Sequence, residues 1–136
     1  MTREQFKIIH SELIMCCQFI EFDLKRIYSA MSTGDFDENM DMFETSNFGS
    51  VLKELKRLDN SDGNPYLSKA DYKLLDNVRE MRNYWVHQCY IDFAYINDSF
   101  RKEQVFSQLS NRLWEEHDKI ADLHHKLETF YFDKFE

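Results

Sequence analysis

The segment Arg82-Asn83-Tyr84-Trp85-Val86-His87 holds the side chains of this sequence whose types and spacing best suit acid–base chemistry. A histidine titrates near neutral pH and can therefore take or donate a proton. An arginine presents a planar fork of donors that can hold a phosphate or another oxyanion. Asn83 and His87 lie four positions apart, so on a helix their side chains are neighbours, and the amide could orient the imidazole.

The helix that must carry these side chains is predicted to begin after Ser68 and to run to about Ile91. Ser68 is a favourable N-cap, and Asp71 would lie near the positive end of the helix dipole. With about 100° of rotation per residue, the face toward the core holds Leu74, Val78, Met81, Trp85 and Cys89. The opposite face holds Asp76, Asn83 and His87, with Arg79 and Tyr90 beside them. Arg82 lies at the edge of the core face, about 140° from His87, but its long side chain could bend toward that residue.

The outer face of this helix is apolar near its end, where it includes Tyr84, Val86, Tyr90 and Ile91. A helix that is apolar nearly all round is usually covered on more than one side. A second copy of the chain, related by a two-fold axis, would provide that cover and would bring together two copies of Arg82, Asn83 and His87. The alternative is cover from the 92–100 segment, which contains Phe93, Tyr95 and Phe100.

The rest of the chain predicts three further helices. Thr2 and Gln5 fit a capping box at the start of the first, whose apolar residues recur in steps of three and four from Phe6 to Met31. Residues 32–46 are acidic and indicate a connecting segment with room for a short helical turn. A shorter helix begins near residue 46 or 47, the 60–65 segment is a loop, and a long last helix follows a loop at residues 97–98. We therefore expect one all-α domain over residues 1–136, an up-and-down four-helix bundle.

The composition agrees with helices and constrains the ligands. Only 3 Gly and 1 Pro occur, too few for the many turns of a β-sandwich or barrel. Lys and Arg total 17 against 25 Asp and Glu, which gives a formal net charge of −8. Phosphate contacts supply most of the affinity of a sequence-blind nucleic-acid binder. Any RNA contact must therefore rest on a local basic patch.

Other residue types narrow the chemistry further. Cys16, Cys17 and Cys89 are an odd number with two adjacent, so we expect buried, reduced thiols. No apolar run approaches a membrane span and the start lacks the apolar core of a signal peptide, so we expect a cytoplasmic protein with no membrane contact. The last helix holds five residues of types that zinc can use, His117, His124, His125, Glu116 and Glu128. His124 and Glu128 share a face, but two ligands do not make a site. We expect neither a metal nor a cofactor.

Arg82 and Asn83, followed by His87 near the end of a long helix, resemble the motif of the HEPN superfamily. That motif is an arginine, four to six residues and a histidine, with Asn, Asp or His favoured directly after the arginine. Residues 77–81 and 88–90 around the motif, and residues 21–25 of the first helix, are also similar to small bacterial members. The resemblance spans most of the chain, but only the short motif is specific.

The resemblance implies a metal-independent endoribonuclease that acts as a homodimer, with the motifs of both copies lining one cleft. In that chemistry the 2′-hydroxyl of RNA attacks the adjacent phosphate and leaves a 2′,3′-cyclic phosphate and a 5′-hydroxyl. His87 would be the general acid or base, Arg82 the phosphate clamp, and Asn83 the orienter of the histidine or a phosphate ligand. Arg79 and Tyr90 would contact the substrate. The resemblance also implies a toxin or abortive-infection effector, restrained by an antitoxin or another regulatory protein.

In one subgroup of these toxins, a tyrosine two residues after the histidine is modified to silence the protein, whereas here Cys89 holds that place and Tyr90 follows.

Two other hypotheses for the function remain open. The acidic balance of the chain favours a catalytically inactive HEPN-like module that binds a protein or a nucleotide. If the motif is a chance match, only a helical scaffold remains, and Arg82 would pair with an acidic neighbour such as Glu80 or Asp76.

Overall fold

The structure, a computed structural model, describes residues 1–136 and contains six helices and no strand. The all-helical prediction is confirmed, but the number of helices is larger than the predicted four. The helices are α1 (Arg3–Met31), α2 (Phe36–Met42), α3 (Phe48–Asp59), α4 (Lys69–His87), α5 (Cys89–Ala94) and α6 (Ser99–Phe135). Helix α2 is the helical turn allowed for in the 32–46 segment, and α5 replaces the predicted final turn of α4.

The helix starts predicted from capping residues are confirmed at α1 and α4. Thr2 Oγ1 accepts the Gln5 N–H at 3.1 Å, and the Gln5 side chain accepts the Thr2 N–H at 2.9 Å. Ser68 and Asp71 make the same reciprocal pair, each at 3.0 Å. Each capping box satisfies backbone donors that a helix start otherwise leaves free. Helix α4, which carries the motif, therefore has a fixed beginning.

Helix α1 lies at the centre of the packing. It packs along α6 and also contacts α2, α3 and α4, while α3 packs on α4 and α5 packs on α6. The buried apolar side chains form one connected cluster, and full burial of a leucine or isoleucine stabilises the fold by about 1.5–3 kcal/mol. The α1 stripe supplies Leu13, Ile20, Leu24 and Ile27, and the α6 stripe supplies Leu113, Ile120 and Leu127.

On the core face of α4 the predicted register is only partly right. Val78 and Trp85 are buried as predicted, whereas Leu74 and Met81 are half-buried. Tyr72 and Leu75 take the fully buried positions in the first half of the helix. Helix α4 thus packs with α1 and α3 on neighbouring faces. None of the six helices has an apolar stretch long enough to cross a membrane.

The break between α4 and α5 lies at Gln88, directly after the motif. The last helical bond of α4 runs from the Gln88 N–H to the Tyr84 carbonyl at 2.9 Å, and α5 begins with the Asp92 N–H on the Gln88 carbonyl. The Trp85 carbonyl, which the next helical bond would use, lies 2.6 Å from His10 Nε2 and 3.3 Å from Cys89 Sγ. A side chain of α1 therefore caps the end of α4. His87 is the last helical residue of α4.

Candidate functional site

The outer face of the last turn of α4 presents Asn83 and His87 to solvent. Both residues are exposed, and neither side chain makes a hydrogen bond or an ion pair within the chain. Their four-residue spacing on a regular helix makes them neighbours, as the sequence predicts. An amide and an imidazole with free donors and acceptors are thus presented side by side at the surface.

Arg82 faces a different part of the molecule. Its Nη1 donates to Glu21 Oε2 of α1 at 3.3 Å, and its guanidinium carbon lies 5.7 Å from the ring centre of Phe48 in α3. The side chains of Arg82 and Glu21 are 28% and 24% exposed. Within one chain Arg82 is therefore held between α1 and α3 and is not brought to His87. Its acidic partner is Glu21, not Glu80 or Asp76.

The Arg82 charge also acts on the thiol of Cys17. Burial raises the pKa of Cys17 to about 12, and the nearby Arg82 charge opposes that rise. Cys16, Cys17 and Cys89 are all buried and free, which confirms the sequence prediction for the thiols. A thiol with so high a pKa is a poor nucleophile at neutral pH. The cysteines around the motif are packing residues.

The two side chains predicted to contact substrate lie against other helices. Arg79 reaches toward α3, where its Nη1 lies 2.8 Å from the position that a Cβ on Gly49 would occupy. Tyr90 belongs to α5 and packs on α1, with its ring centre 5.7 Å from that of Phe6 and 5.1 Å from that of His10. Burial raises the pKa of Tyr90. Neither residue is hydrogen-bonded to Asn83 or His87.

The inner face of the same turn is fully engaged. Trp85 is completely buried, and its indole Nε1–H donates to Glu116 Oε1 of α6 at 3.2 Å. Arg112 Nε donates to the other oxygen of Glu116 at 2.6 Å, and its guanidinium carbon lies 3.9 Å from the ring centre of Tyr84. These contacts tie the end of α4 to α6. They hold the backbone beneath Asn83 and His87 in place.

Helix α5 is fixed to the same end by a carboxylate. Asp92 accepts from the Tyr84 hydroxyl at 2.7 Å and from Gln88 Nε2 at 2.9 Å. The hydrogen bonds from Gln88 and Tyr84 lower the pKa of Asp92, while burial and the Asp92 contact raise that of Tyr84. The turn that follows His87 is therefore held by side chains on both sides of the break at Gln88.

Sequence reasoning missed four residues that support the site: His10, Glu21, Asp92 and Glu116. Glu116 carried a usable signal, because it occupies a position in the apolar stripe of the last helix, between Leu113 and Ile120. A charged residue at a core-facing position must be paired when it is buried. His10 and Glu21 carried no such signal, since they act through contacts with residues 75 and 61 positions away. Asp92 contacts only Tyr84 and Gln88, but its role depends on the helix break at Gln88, which the sequence does not mark.

Exposed apolar side chains surround the end of α4 and continue through α5. Val86 and Ile91 are exposed, and Tyr95 and Phe100 are 81% and 79% exposed. Of the aromatic residues of the 92–100 segment, only Phe93 turns inward, where it packs on Phe6 and Phe106. The segment therefore covers the outer face only in part: Phe93 packs on Tyr90 and Asp92 bonds the Tyr84 hydroxyl, while Val86 and Ile91 stay exposed. We refer to Val86, Ile91, Tyr95 and Phe100 as the apolar rim.

A cluster of charged side chains around His124 joins α1 to α6, away from the motif. His124 Nδ1 lies 3.0 Å from Asp23 Oδ2, and its Nε2 lies 3.3 Å from Glu128 Oε2. Arg26 Nη2 lies 3.0 Å from Asp23 Oδ1. Burial raises the pKa of Asp23, and the His124 hydrogen bond and the Arg26 charge oppose the rise. The chain has no group of three or more His, Cys, Asp or Glu side chains that is placed to hold a metal ion.

Comparison of the chain with protein-family models, with curated proteins and with solved structures finds no significant match in any of the three. The HEPN resemblance therefore stays a prediction from the sequence, and it rests on the motif residues alone.

Proposed function

We propose that this chain is a metal-independent endoribonuclease of the HEPN type, with a composite Arg/His site at a homodimer interface. In this proposal the four longer helices form a HEPN-like up-and-down arrangement. One observation carries it: Asn83 and His87 are exposed and unpaired at the last turn of a helix whose inner face is fixed by Glu116 and His10. Polar side chains with no partner in their own chain are free for a ligand, and a rigid backbone keeps them in position.

The apolar rim supports a second copy as the partner. Val86 lies within the motif, the other three residues of the rim follow it in sequence, and all four are exposed. Contiguous exposed apolar side chains beside polar groups are typical of protein interfaces. A two-fold contact through this rim would place two copies of His87 in one cleft, together with the Arg82 side chains once these leave Glu21.

The chemistry needs only groups that the two copies supply. One His87 takes the proton of the 2′-hydroxyl as that oxygen bonds to phosphorus. The other His87 gives a proton to the 5′-oxygen as its bond to phosphorus breaks, so the protons balance. The Arg82 guanidinium holds the phosphate and offsets the charge that builds on its oxygens. The products are a 2′,3′-cyclic phosphate and a 5′-hydroxyl.

The decisive test is cleavage of single-stranded RNA in the presence of EDTA. The wild-type protein should cleave, and His87→Ala should lower the rate by about 10²–10⁴-fold, the usual contribution of a general acid or base. The stability of the variant should stay within about 0.5 kcal/mol of wild type, because His87 is exposed and its side chain makes no hydrogen bond or ion pair. His125→Ala is the matched control, since that histidine is exposed on α6 and has no hydrogen bond. Full activity in His87→Ala contradicts the mechanism.

The same pair of variants extends the proposal to cells. A toxin or phage-defence effector should slow growth when it is overexpressed, and His87→Ala should relieve the effect while His125→Ala should not. An antitoxin or regulatory protein would then restrain the wild-type protein. Equal growth of the strains that express wild type, His87→Ala and His125→Ala contradicts the toxin role. It leaves the result of the cleavage assay unchanged.

The position of Arg82 favours a second candidate function. Because Arg82 is paired with Glu21 and does not face His87 in one chain, a catalytically inactive HEPN-like module that binds a protein or a nucleotide fits this arrangement. That candidate predicts a dimer that does not cleave RNA. The EDTA assay separates the two.

A further inference from the structure

A basic cavity lies between the end of α3, the 60–68 loop and the start of α4. Its volume is about 830 Å³, within the range of ligand sites. Five cationic side chains and one carboxylate, Asp76, line it; the cations are Lys53, Lys56, Arg57, Lys69 and Lys73. This balance is opposite to that of the chain, whose net charge is −8. The structure thus concentrates positive charge on one surface of an acidic protein.

A second cavity continues the first along α3 and α4 toward the motif. It has a volume of about 200 Å³, shares Lys53 and Lys56 with the larger cavity, and adds Arg79. The Arg79 guanidinium lies across α3 because Gly49 has no side chain to exclude it. Arg82, one turn further along α4, lies over Phe48 at the beginning of α3. We call six cations the basic track: Lys69, Lys73 and Arg79 on α4, and Lys53, Lys56 and Arg57 on α3.

The cations of the basic track are largely unpaired. No carboxylate oxygen lies within 4.0 Å of Lys53, Lys56, Lys69 or Lys73, although the chain has 25 Asp and Glu residues. Arg57 alone among the cations of the large cavity has an ion pair, with Glu54. Asp76 is the one carboxylate in the lining, so the cations outnumber the counter-charges beside them, and an anionic ligand would reduce their mutual repulsion.

The wall of the large cavity is built in advance. The buried carboxylate of Asp59 accepts the backbone N–H groups of Tyr66 and Leu67 at 2.8 and 3.1 Å and the Tyr72 hydroxyl at 2.6 Å. Burial and the contact with Asp59 raise the pKa of Tyr72, so the hydroxyl stays a donor. Two of these bonds hold the 60–68 loop and the third holds α4, so the loop loses little entropy when a ligand binds.

We propose that the basic track binds the sugar–phosphate backbone of a single RNA strand, a substrate site separate from the cleft at His87. This assignment rests on the proposed ribonuclease function and names how the substrate is held. Cations repeat along both walls of a groove, as phosphates repeat along a strand. Tyr66 lies at the edge of the large cavity and is 56% exposed, so it offers a ring on which a base can stack. Lys73 lies fourteen residues before His87, about 21 Å along the helix, so a strand of several nucleotides links track and cleft.

The test is binding of a fluorescently labelled single-stranded oligonucleotide that cannot be cleaved, because its 2′-hydroxyls are methylated. The variant Lys53→Gln/Lys56→Gln/Lys73→Gln should bind about 10- to 100-fold more weakly than wild type at about 0.1 M salt. Its salt slope should fall by about 2, since each phosphate contact to a single strand contributes about 0.7. The control Lys7→Gln/Arg101→Gln/Lys119→Gln removes the same charge from exposed, unpaired positions on α1 and α6 and should bind like wild type. Circular dichroism verifies that both variants fold.

The outcomes distinguish this proposal from the ribonuclease proposal. If both triple variants bind the oligonucleotide more weakly to the same extent, or if neither does, the basic track is not an RNA site. This holds even if His87→Ala abolishes cleavage. Loss of binding in the track variant alone supports it even if no cleavage is seen. Binding of polyglutamate of equal charge, or of anionic vesicles, as tight as that of the oligonucleotide overturns it in favour of an acidic protein or a lipid surface. If ATP binds as tightly as the oligonucleotide, the ligand of the basic track is a single nucleotide and not an RNA strand.

Discussion

The two faces of the last turn of α4 differ in how far the chain itself satisfies them. On the inner face, Trp85 is fully buried, its indole donor is paired with Glu116, and its carbonyl meets His10. On the outer face, Asn83 and His87 have no partner, and Val86 beside them is exposed. The fold requires the inner residues and is indifferent to the outer ones. An outer face that the fold does not require is where binding or catalysis can set the choice of residue.

The largest effect that sharpens this comparison is expected at Trp85. Trp85→Ala should lower the free energy of unfolding by about 3–5 kcal/mol, because it empties a fully buried site and removes a donor from Glu116. Val86→Ala, the next residue but on the outer face, should change the same quantity by no more than about 0.5 kcal/mol. Urea unfolding followed by circular dichroism measures both. Similar losses in the two variants would contradict the difference between the faces.

The sequence reveals the inner face better than the outer one. The three-and-four spacing of apolar residues predicts α1, α6 and the burial of Trp85. The capping box at Thr2 and the N-cap residue Ser68 predict the starts of α1 and α4. All these features depend on neighbours in the chain. The break after His87 was not predictable, since neither Gly nor Pro marks it and the bond that stabilises it comes from His10, 75 residues before Trp85. The same holds for Arg82 and Glu21, which lie 61 residues apart.

The basic track shows the same limit. Its cations lie in two short stretches of an acidic chain, residues 53–57 and 69–79, and only the pairing of α3 with α4 brings them to one groove. From the net charge of −8 we infer that any RNA contact needs a local basic patch, but the charge does not show where that patch is. Charges that face each other across two helices become visible only when the helices are placed.

The outer face is tested next, through its expected contact with a second copy. Val86→Asp should raise the dissociation constant of the dimer by about 100-fold, or about 2.7 kcal/mol, because it would place an unpaired carboxylate in an apolar contact. Met42→Asp, at a similarly exposed apolar residue on α2, is the control and should leave the dimer intact. Sedimentation velocity over a range of protein concentrations gives the constants. A wild-type protein that stays monomeric at all of them, or a Val86→Asp dimer as tight as wild type, rules out this rim as the interface.

The smallest expected effect concerns Arg82, which lies at the boundary between the two faces. If Arg82 must leave Glu21 to hold a phosphate, Glu21→Gln should raise kcat/KM for RNA by about 2- to 5-fold, since a partly exposed ion pair contributes about 1 kcal/mol or less. Glu103→Gln is the matched control, because it releases Arg3 from an exposed pair between α1 and α6 and should not change the rate. Arg82→Ala should lower kcat/KM whatever the outcome at Glu21. A loss in Glu21→Gln as large as that in Arg82→Ala would instead mean that Glu21 holds Arg82 in its working position. The inner face would then take part in catalysis, and the two faces would not be independent.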